Sequence, residues 1–163
     1  ELMYPLYEQA FPEEKRRRKE DLERILEEEL NFYATAIYED DVYVGFINFW
    51  LLGSYIYVEH FAIVPSFRGK NIGSKLIADF MQTYDIPVVL EVELPHNEMA
   101  AKRIAFYERL GFYLVAHDYK QPCYKGTDKM WPMKIMCNDE DYILENYDFI
   151  IDDIHQKVYH YFK

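Results

Sequence analysis

The 163-residue sequence predicts an α/β fold in which helices flank a mixed central sheet. Segments rich in aromatic and β-branched residues follow one another between residues 31 and 64 and are separated by tight turns, which is typical of an antiparallel meander. A strand, a helix and another strand then occupy residues 55–94, and such a crossover places its two strands side by side in parallel. An apolar stripe at helical spacing near the end of the chain predicts an extra C-terminal helix.

Two helices are expected before the first strand. Residues 2–10 show a short helical pattern, and Pro12 suits the first turn of the next helix. That second helix is predicted over residues 13–30, where four apolar residues recur at helical spacing. The basic run at residues 15–19 is interpreted as its solvated face, because acidic residues flank the run on both sides. An anion-binding patch is the alternative.

The remaining elements follow from periodicity and turn residues. Gly45 inside the second strand indicates a bulge, and Gly111 suits the end of the fourth helix. The expected strands are residues 31–39, 42–52, 55–64, 87–94, 112–120 and 131–137. The later helices are expected over residues 72–81, 96–110 and 139–161, with a loop at residues 121–129.

The stripe of the C-terminal helix consists of Ile143, Tyr147, Ile150, Ile154 and Val158. An apolar stripe of this length must be buried. We expect it to pack against the sheet of the same chain. The alternative is an interface between two copies, which would make the protein a homodimer.

Composition narrows the class of protein. A formal net charge of −11 argues against nucleic acid as a main partner and suits a cationic substrate such as an amine. Cys123 and Cys137 form neither a disulfide framework nor a metal-binding pattern, so we expect reduced thiols in a cytoplasmic protein that holds no metal. No apolar run approaches membrane-spanning length and no signal peptide opens the chain, so no membrane partner is expected.

The third strand runs into a basic, glycine-containing loop that opens a helix. Glycine lets the backbone approach a phosphate closely, and the first N–H groups of a helix attract negative charge. The spacing excludes the two familiar phosphate motifs G-x-x-x-x-G-K-[ST] and G-x-G-x-x-G. We expect an anion site here, although any strand–turn–helix needs a glycine near its turn. The residues of the loop are Arg68, Gly69, Lys70, Asn71, Ile72, Gly73 and Ser74.

Two motifs together resemble the GNAT N-acetyltransferase superfamily, in its bacterial type. The loop is similar to the family's R/Q-x-x-G-x-G/A pattern, with Asn71 in place of the middle glycine. Asparagine tolerates a positive φ better than other non-glycine residues, so we expect a left-handed backbone there. The later phrase F-Y-E-R-L-G-F at residues 106–112 resembles the family's Y-E-x-L-G-F. The match covers about residues 42–137.

The resemblance implies a single N-acetyltransferase domain over residues 1–163, with a core at about 42–137 and a splayed central sheet. Acetyl-CoA would lie in the V-shaped opening between the strands at residues 55–64 and 87–94. Backbone groups of Phe61, Ala62 and Ile63 would bond its pantetheine arm, and N–H groups of residues 69–74 would hold its pyrophosphate.

The resemblance also implies the catalytic groups. Tyr107 aligns with the family tyrosine that protonates the leaving thiolate, and such an acid is needed because a bare thiolate leaves slowly. A core tyrosine on a helix is the alternative. Glu59 and Glu91 are both candidates for the general base, directly or through a water. Glu59 should share one strand face with Tyr57 and Phe61, and burial among aromatic rings should raise its pKa. Either glutamate could instead only attract a cation.

The sequence departs from the family pattern in two places. Ala100 stands where members often carry a cofactor-binding Asn, with Asn97 nearby, and no strand pattern precedes the N-terminal helices. The expected function is acetyl transfer from acetyl-CoA to the amine of a small molecule or peptide. An acetyl-CoA-binding sensor or complex subunit with little turnover is the alternative.

Overall fold

The computed structural model describes residues 2–160. The helices are α1 (Met3–Ala10), α2 (Lys19–Glu28), α3 (Ile72–Tyr84), α4 (Glu98–Arg109) and α5 (Glu140–Lys157), with short 3₁₀ helices at Glu13–Lys15 and Pro65–Phe67. The strands are β1 (Phe32–Glu39), β2 (Val42–Leu51), β3 (Ile56–Ile63), β4 (Val88–Glu93), β5 (Tyr113–Leu114), β6 (Tyr119–Pro122) and β7 (Met130–Cys137).

The strands form one mixed sheet in the order β1-β2-β3-β4-β7-β5, and β6 also pairs with β7. β3 and β4 are parallel and are joined by α3, as the crossover pattern predicts. The pairs β1–β2, β2–β3, β4–β7, β5–β7 and β6–β7 are antiparallel. The predicted mixed sheet with flanking helices is therefore confirmed.

Each face of the sheet is covered by its own set of helices. On the α5 face, apolar residues of α1, α2 and α5 pack on the sheet. On the α3–α4 face, apolar residues of α3 and α4 do so. Ile143, Ile150 and Ile154 of α5 are fully buried, which confirms that the C-terminal stripe packs within its own chain. Helix α5 ends at Lys157; residue 161, the expected end of that helix, lies outside the described residues.

The predicted helix over residues 13–30 is wrong in its first third. The chain forms a 3₁₀ helix at Glu13–Lys15, becomes extended at Arg16 and Arg18, and enters α2 only at Lys19. The cause lies at Arg17, whose backbone N–H donates to the Tyr7 hydroxyl at 2.8 Å and whose side chain is buried. The basic run is therefore not one solvated face.

The single strand predicted over residues 112–120 is also wrong. Two short strands, β5 and β6, pair with different parts of β7, and β6 includes two residues of the expected loop. Between them, the carbonyl groups of Ala116 and His117 accept hydrogen bonds from the Lys134 amine at 2.7 and 3.2 Å. Because these two carbonyl groups are bonded to the lysine, they do not pair with β7, and the strand pairing is interrupted between β5 and β6.

None of the helices between residues 2 and 160 combines the length and the apolar character that crossing a bilayer requires.

Candidate active site

The sheet opens into a fork between its two parallel strands. β3 and β4 pair only from Ile56 with Val88 to Val58 with Leu90. Beyond that point β3 continues along β2, while β4 continues along β7. Residues 59–63 form one arm of the fork and residues 91–93 the other. The facing backbone edges are no longer joined by the ladder, so the predicted V-shaped splay is present and can accept an extended ligand.

The direction of the backbone groups on the β3 arm follows from one hydrogen bond. The Val64 N–H donates to the Val44 carbonyl at 2.8 Å, so residue 64 points to β2. Because successive residues point to alternate edges, the backbone of Phe61 and Ile63 points into the fork and that of Ala62 points to β2. The Ile63 carbonyl already accepts a hydrogen bond from Arg68 Nε at 3.0 Å. Arg68 thereby ties the following loop to the end of this arm.

The loop at residues 68–74 has the geometry of an anion site. Asn71 adopts φ 59° and ψ 12°, which confirms the expected left-handed backbone, and it precedes the first residue of α3. Gly69 also has a positive φ, of 76°. The Asn71 side chain does not cap the helix, and the first turn of α3 contains no acidic residue. The N–H groups of residues 72–74 are thus left for an external acceptor.

Gly73 faces the fork from the first turn of α3. A Cβ placed on it would lie 3.6 Å from the ring of Phe61 and 3.7 Å from Ile63 and Phe106. A Cβ would be in ordinary contact with all three side chains, so the start of α3 packs close to both the β3 arm and α4. Lys70 adds a cation, with its amine 5.2 Å from the centre of the Phe67 ring. Coenzyme A, which joins a narrow arm to a pyrophosphate, fits this combination.

Tyr107 lies on α4 and belongs to the apolar core of the α3–α4 face. Its ring packs against Phe106 and Phe112, with centroid distances of 5.1 and 5.4 Å. Burial raises its pKa to about 12, so the phenol keeps its proton at neutral pH. The residue is 8% exposed, so it is almost enclosed by these core residues.

Glu59 sits at a β-bulge that the sequence pattern did not predict. The β2–β3 register passes from Asn48 opposite His60 to Phe49 opposite Val58, which leaves Glu59 unpaired. The expected alternation of faces therefore breaks, and Phe61 packs with the α3–α4 core, whereas Tyr57 belongs to the α5-face core. The bulge directs Glu59 towards Arg17 instead.

The Glu59 carboxylate is engaged in a buried ion pair. Arg17 Nη2 lies 2.5 Å from Glu59 Oε1, and both side chains are almost fully buried. Burial alone would raise the pKa of Glu59, but the charge and hydrogen bonds of Arg17, with His60 beside the carboxylate, lower it to about 2. The expected rise in pKa is therefore wrong. A carboxylate held in this way is a weak proton acceptor.

Glu91 is the first residue of β4 beyond the paired segment, and its carboxylate stands on the α5 face. Four side-chain donors surround it. The hydroxyls of Tyr57, Tyr119 and Tyr159 donate to its oxygens, and Gln121 Nε2 donates at 3.2 Å. We call these four residues the Glu91 cage. The cage holds the carboxylate in one place at the mouth of the fork.

Sequence reasoning missed the cage because its members come from β3, β6 and the turn after α5. Their contacts with Glu91 span 34, 28, 30 and 68 positions for Tyr57, Tyr119, Gln121 and Tyr159. The one available signal was the unusual number of tyrosines, 16 in the chain.

A hydrogen-bonded path leads from Glu91 to the surface. His155 Nε2 lies 3.1 Å from the hydroxyl of Tyr119, which donates to Glu91. Burial lowers the pKa of His155, so its imidazole is mostly neutral at pH 7 and able to accept a proton. His155 lines a surface cavity of about 440 Å³ together with Asp118, Asp148 and Asp152. The path thus joins the carboxylate to this cavity.

Tyr107 and Glu91 lie on opposite faces of the sheet, and the fork is the opening between them. A ligand that passes through the fork would meet the phenol on one side and the carboxylate on the other. Asn97 does not join this site, because its Oδ1 caps α4 by accepting from the Ala100 N–H at 2.8 Å. Residues 2–160 contain no group of three or more His, Cys, Asp and Glu side chains that could hold a metal ion.

Comparisons with known proteins agree with this geometry. The model of the acetyltransferase (GNAT) family matches residues 1–112. YjbC of Bacillus subtilis (strain 168), to which an acetyltransferase role is attributed, is 30% identical over 112 residues, which is 67% of this chain and 55% of YjbC. The chain thus matches about half the length of that curated relative.

Two solved structures extend the similarity beyond residue 112. A protein of Bacteroides thetaiotaomicron attributed to the GNAT family is 37% identical, with a TM-score of 0.92 over 97% of this chain and 90% of that one. A Bacillus subtilis acetyltransferase solved in complex with CoA is 16% identical, with a TM-score of 0.60 over 85% of this chain and 91% of that one, and shares the fold. On the family match and this geometry together, the chain belongs to the GNAT acetyltransferase family.

Proposed function

We propose that this protein is an N-acetyltransferase that moves an acetyl group from acetyl-CoA to a primary amine of a small molecule or peptide by direct attack. The observation that carries the proposal is the fork between β3 and β4, together with the loop before α3 in which Asn71 is left-handed. Acetyl-CoA would supply a thioester whose acyl carbon is electrophilic. The CoA in the related Bacillus subtilis structure supports this choice of ligand.

The donor would be held by two segments of the chain. The N–H groups at the start of α3, with the cations of Arg68 and Lys70, would bind the pyrophosphate. The backbone of Phe61 and Ile63 on the β3 arm would bond the pantetheine arm and orient the thioester carbonyl. Most of the rate enhancement would come from this positioning and from polarisation of the carbonyl.

Proton transfer would involve one group on each face. On the α3–α4 face, Tyr107 would protonate the leaving sulfur, since burial keeps its phenol neutral. On the α5 face, Glu91 would accept a proton from the incoming ammonium group and pass it through Tyr119 to His155. The buried ion pair with Arg17 favours Glu91 over Glu59 as the base. The acceptor would therefore approach from the α5 face.

The proposal treats residues 1–163 as one domain, because β5 to β7 complete the sheet that β1 to β4 begin. It places the protein in the cytoplasm, where acetyl-CoA is available and where the two cysteine thiols, which form no disulfide within the described part of the chain, would stay reduced.

The test is release of the CoA thiol from acetyl-CoA across a panel of primary amines. We expect continued release that depends on at least one amine, and a loss of about a hundredfold or more in turnover for Glu91→Gln. Glu59→Gln is the companion variant. When turnover is divided by the fraction of folded protein, Glu59→Gln should retain more turnover than Glu91→Gln. If no amine supports release by protein that binds acetyl-CoA, the proposal fails.

A second candidate function is an acetyl-CoA sensor without turnover. It is favoured by one observation, that the Glu91 carboxylate already accepts hydrogen bonds from four side chains. The same panel distinguishes the two functions, because a sensor would bind acetyl-CoA tightly and release no thiol in response to any amine.

A further inference from the structure

An amine of the chain itself reaches the acceptor side of the fork. Lys15 ends the 3₁₀ helix between α1 and α2, and its amine donates to Gln121 Oε1 at 2.9 Å. The same amine lies 3.4 Å from the sulfur of Met133 and 5.0 Å from the centre of the Trp131 ring. Gln121 is also a member of the Glu91 cage. One amide side chain thus connects the lysine amine to the candidate base.

The side chain of Lys15 runs over the fork. Its backbone carbonyl accepts from His60 Nε2 at 3.0 Å, and His60 belongs to the β3 arm. Its amine lies above β7, where Met133 pairs with Glu93 of the β4 arm. The sheet order is β3-β4-β7 and the fork lies between β3 and β4, so a side chain that runs from the β3 arm to β7 crosses the opening on the α5 face. This is the side from which an acceptor amine would approach.

The surroundings of the Lys15 amine favour its neutral form, which is the nucleophilic one. Burial lowers its pKa, and the carboxylates of Glu91, Glu93 and Glu14 oppose that shift. The amine is therefore more often neutral than that of an ordinary lysine, while nearby carboxylates keep a polar environment for it. Lys19, four residues further along, is different: it is more than half exposed and lies 3.9 Å from Glu23.

We propose that Lys15 is an acetyl acceptor of its own active site, so that the protein acetylates itself at this position when acetyl-CoA occupies the fork. This inference rests on the proposed function and adds a modification site to it. It follows from the position of the amine, which lies on the acceptor side of the fork and is joined through Gln121 to Glu91.

The reaction needs only acetyl-CoA as co-reactant. The lone pair of the neutral Lys15 amine forms a bond to the acyl carbon, and the C–S bond breaks with its electron pair on sulfur. Sulfur takes the proton of Tyr107 and leaves as the CoA thiol. The lysine, counted from its ammonium form, loses two protons: one restores the phenol of Tyr107 and one is released to solvent. The products are N-acetyl-Lys15 and CoA.

The test uses the full chain, incubated with acetyl-CoA at several protein concentrations and mapped for acetylated lysines by peptide mass spectrometry. We expect Lys15 to be acetylated faster than every exposed lysine, with a fractional rate that does not depend on protein concentration. Tyr107→Phe should slow the modification of Lys15 by about a hundredfold. The exposed Lys19, which can react only chemically, should be modified at the same rate in both proteins.

Two variants and one parallel assay separate the outcomes. Lys15→Arg should remove the fast site, whereas Lys19→Arg, the matched control, should keep it. Modification of Lys15 no faster than Lys19, or at a rate proportional to protein concentration, would overturn the inference. If amines support thiol release in the same preparation while Lys15 stays unmodified, self-acetylation is wrong and the proposed function stands. If neither occurs in protein that binds acetyl-CoA, both are wrong.

Discussion

The hydroxyl of Tyr159, in the turn that follows α5, donates a hydrogen bond to the carboxylate of Glu91 on β4. The two residues are 68 positions apart, and both hydroxyl and carboxylate also contact Tyr57. The end of the described chain thus contributes directly to the candidate site. Arg17 supports this arrangement, since its Nη2 donates to the carbonyl of Val158 at 2.6 Å.

The first prediction concerns this contact. Tyr159→Phe keeps the ring but removes one donor to a partly buried carboxylate, so we expect a loss of about 2 kcal/mol in the free energy of unfolding. Turnover should fall about tenfold, because the carboxylate is positioned less firmly. Denaturant unfolding and steady-state kinetics measure the two effects. Tyr142→Phe is the matched control, since its hydroxyl shares a hydrogen bond with the exposed Ser54, and it should change little.

The second prediction concerns Tyr107, the proposed acid. Tyr107→Phe should lower turnover about a hundredfold or more while leaving acetyl-CoA affinity nearly unchanged, because only the proton donor is lost. In the unmodified protein, burial raises the pKa of Tyr107 from 10.0 to about 12. The pH profile of turnover should therefore show no loss from phenol ionisation near pH 10. Such a loss at pH 10, or unchanged turnover in the variant, would contradict the role of Tyr107.

The third prediction concerns the loop at residues 68–74. Asn71 has φ 59°, a conformation that glycine adopts without strain and a β-branched residue does not. Asn71→Gly should keep the affinity for CoA within about twofold, whereas Asn71→Val should weaken it about tenfold, a cost of about 1.4 kcal/mol. Isothermal titration with CoA measures both. Equal affinities for the two variants would show that the left-handed residue does not shape the site.

The fourth prediction concerns the buried ion pair. Arg17→Met leaves the Glu59 carboxylate buried without its partner, so we expect a loss of about 3 kcal/mol or more in unfolding free energy. Replacing both residues, with Arg17→Met and Glu59→Gln, should recover part of that loss, because no buried charge is then left unpaired. Thermal and denaturant unfolding of Arg17→Met, Glu59→Gln and the double variant test this, and additive losses in the double variant would contradict it.

The same pair predicts how stability depends on pH. The pKa of Glu59 is lowered to about 2 in the folded protein from an ordinary 4.5, so the unfolded chain binds its proton first as pH falls. The stabilisation is present in full above pH 4.5 and is lost as pH falls from there towards about 2. Glu59→Gln should flatten the stability curve in that window. An unchanged slope would mean that Glu59 is not held ionised by Arg17.

The sequence was informative where structure is decided locally. The left-handed Asn71 and the start of α3 depend on neighbouring residues, so the conformation of this loop could be predicted. The parallel crossover followed from the order of strand, helix and strand, and it placed the fork between the correct strands.

The features that could not be predicted depend on contacts between distant segments of the chain. The bulge at Glu59 shifts face alternation by one residue, which no pattern in β3 shows. Arg17 stands in a charged run, and its burial is caused by Tyr7, Glu59 and Val158, which come from three other parts of the chain. The Glu91 cage and the position of Lys15 over the fork also depend on contacts between distant segments. They form only when helix α5 has packed on the sheet and strand β6 has paired with β7.

The central claim is that the fork between β3 and β4 is the acetyl-CoA site, and a crystal structure with bound CoA tests it most directly. We predict the pantetheine arm between residues 59–63 and 91–93, the pyrophosphate on the N–H groups of residues 72–74, and the sulfur within reach of the Tyr107 hydroxyl. CoA bound elsewhere on the protein, with the fork empty and the Asn71 loop uninvolved, would contradict the account.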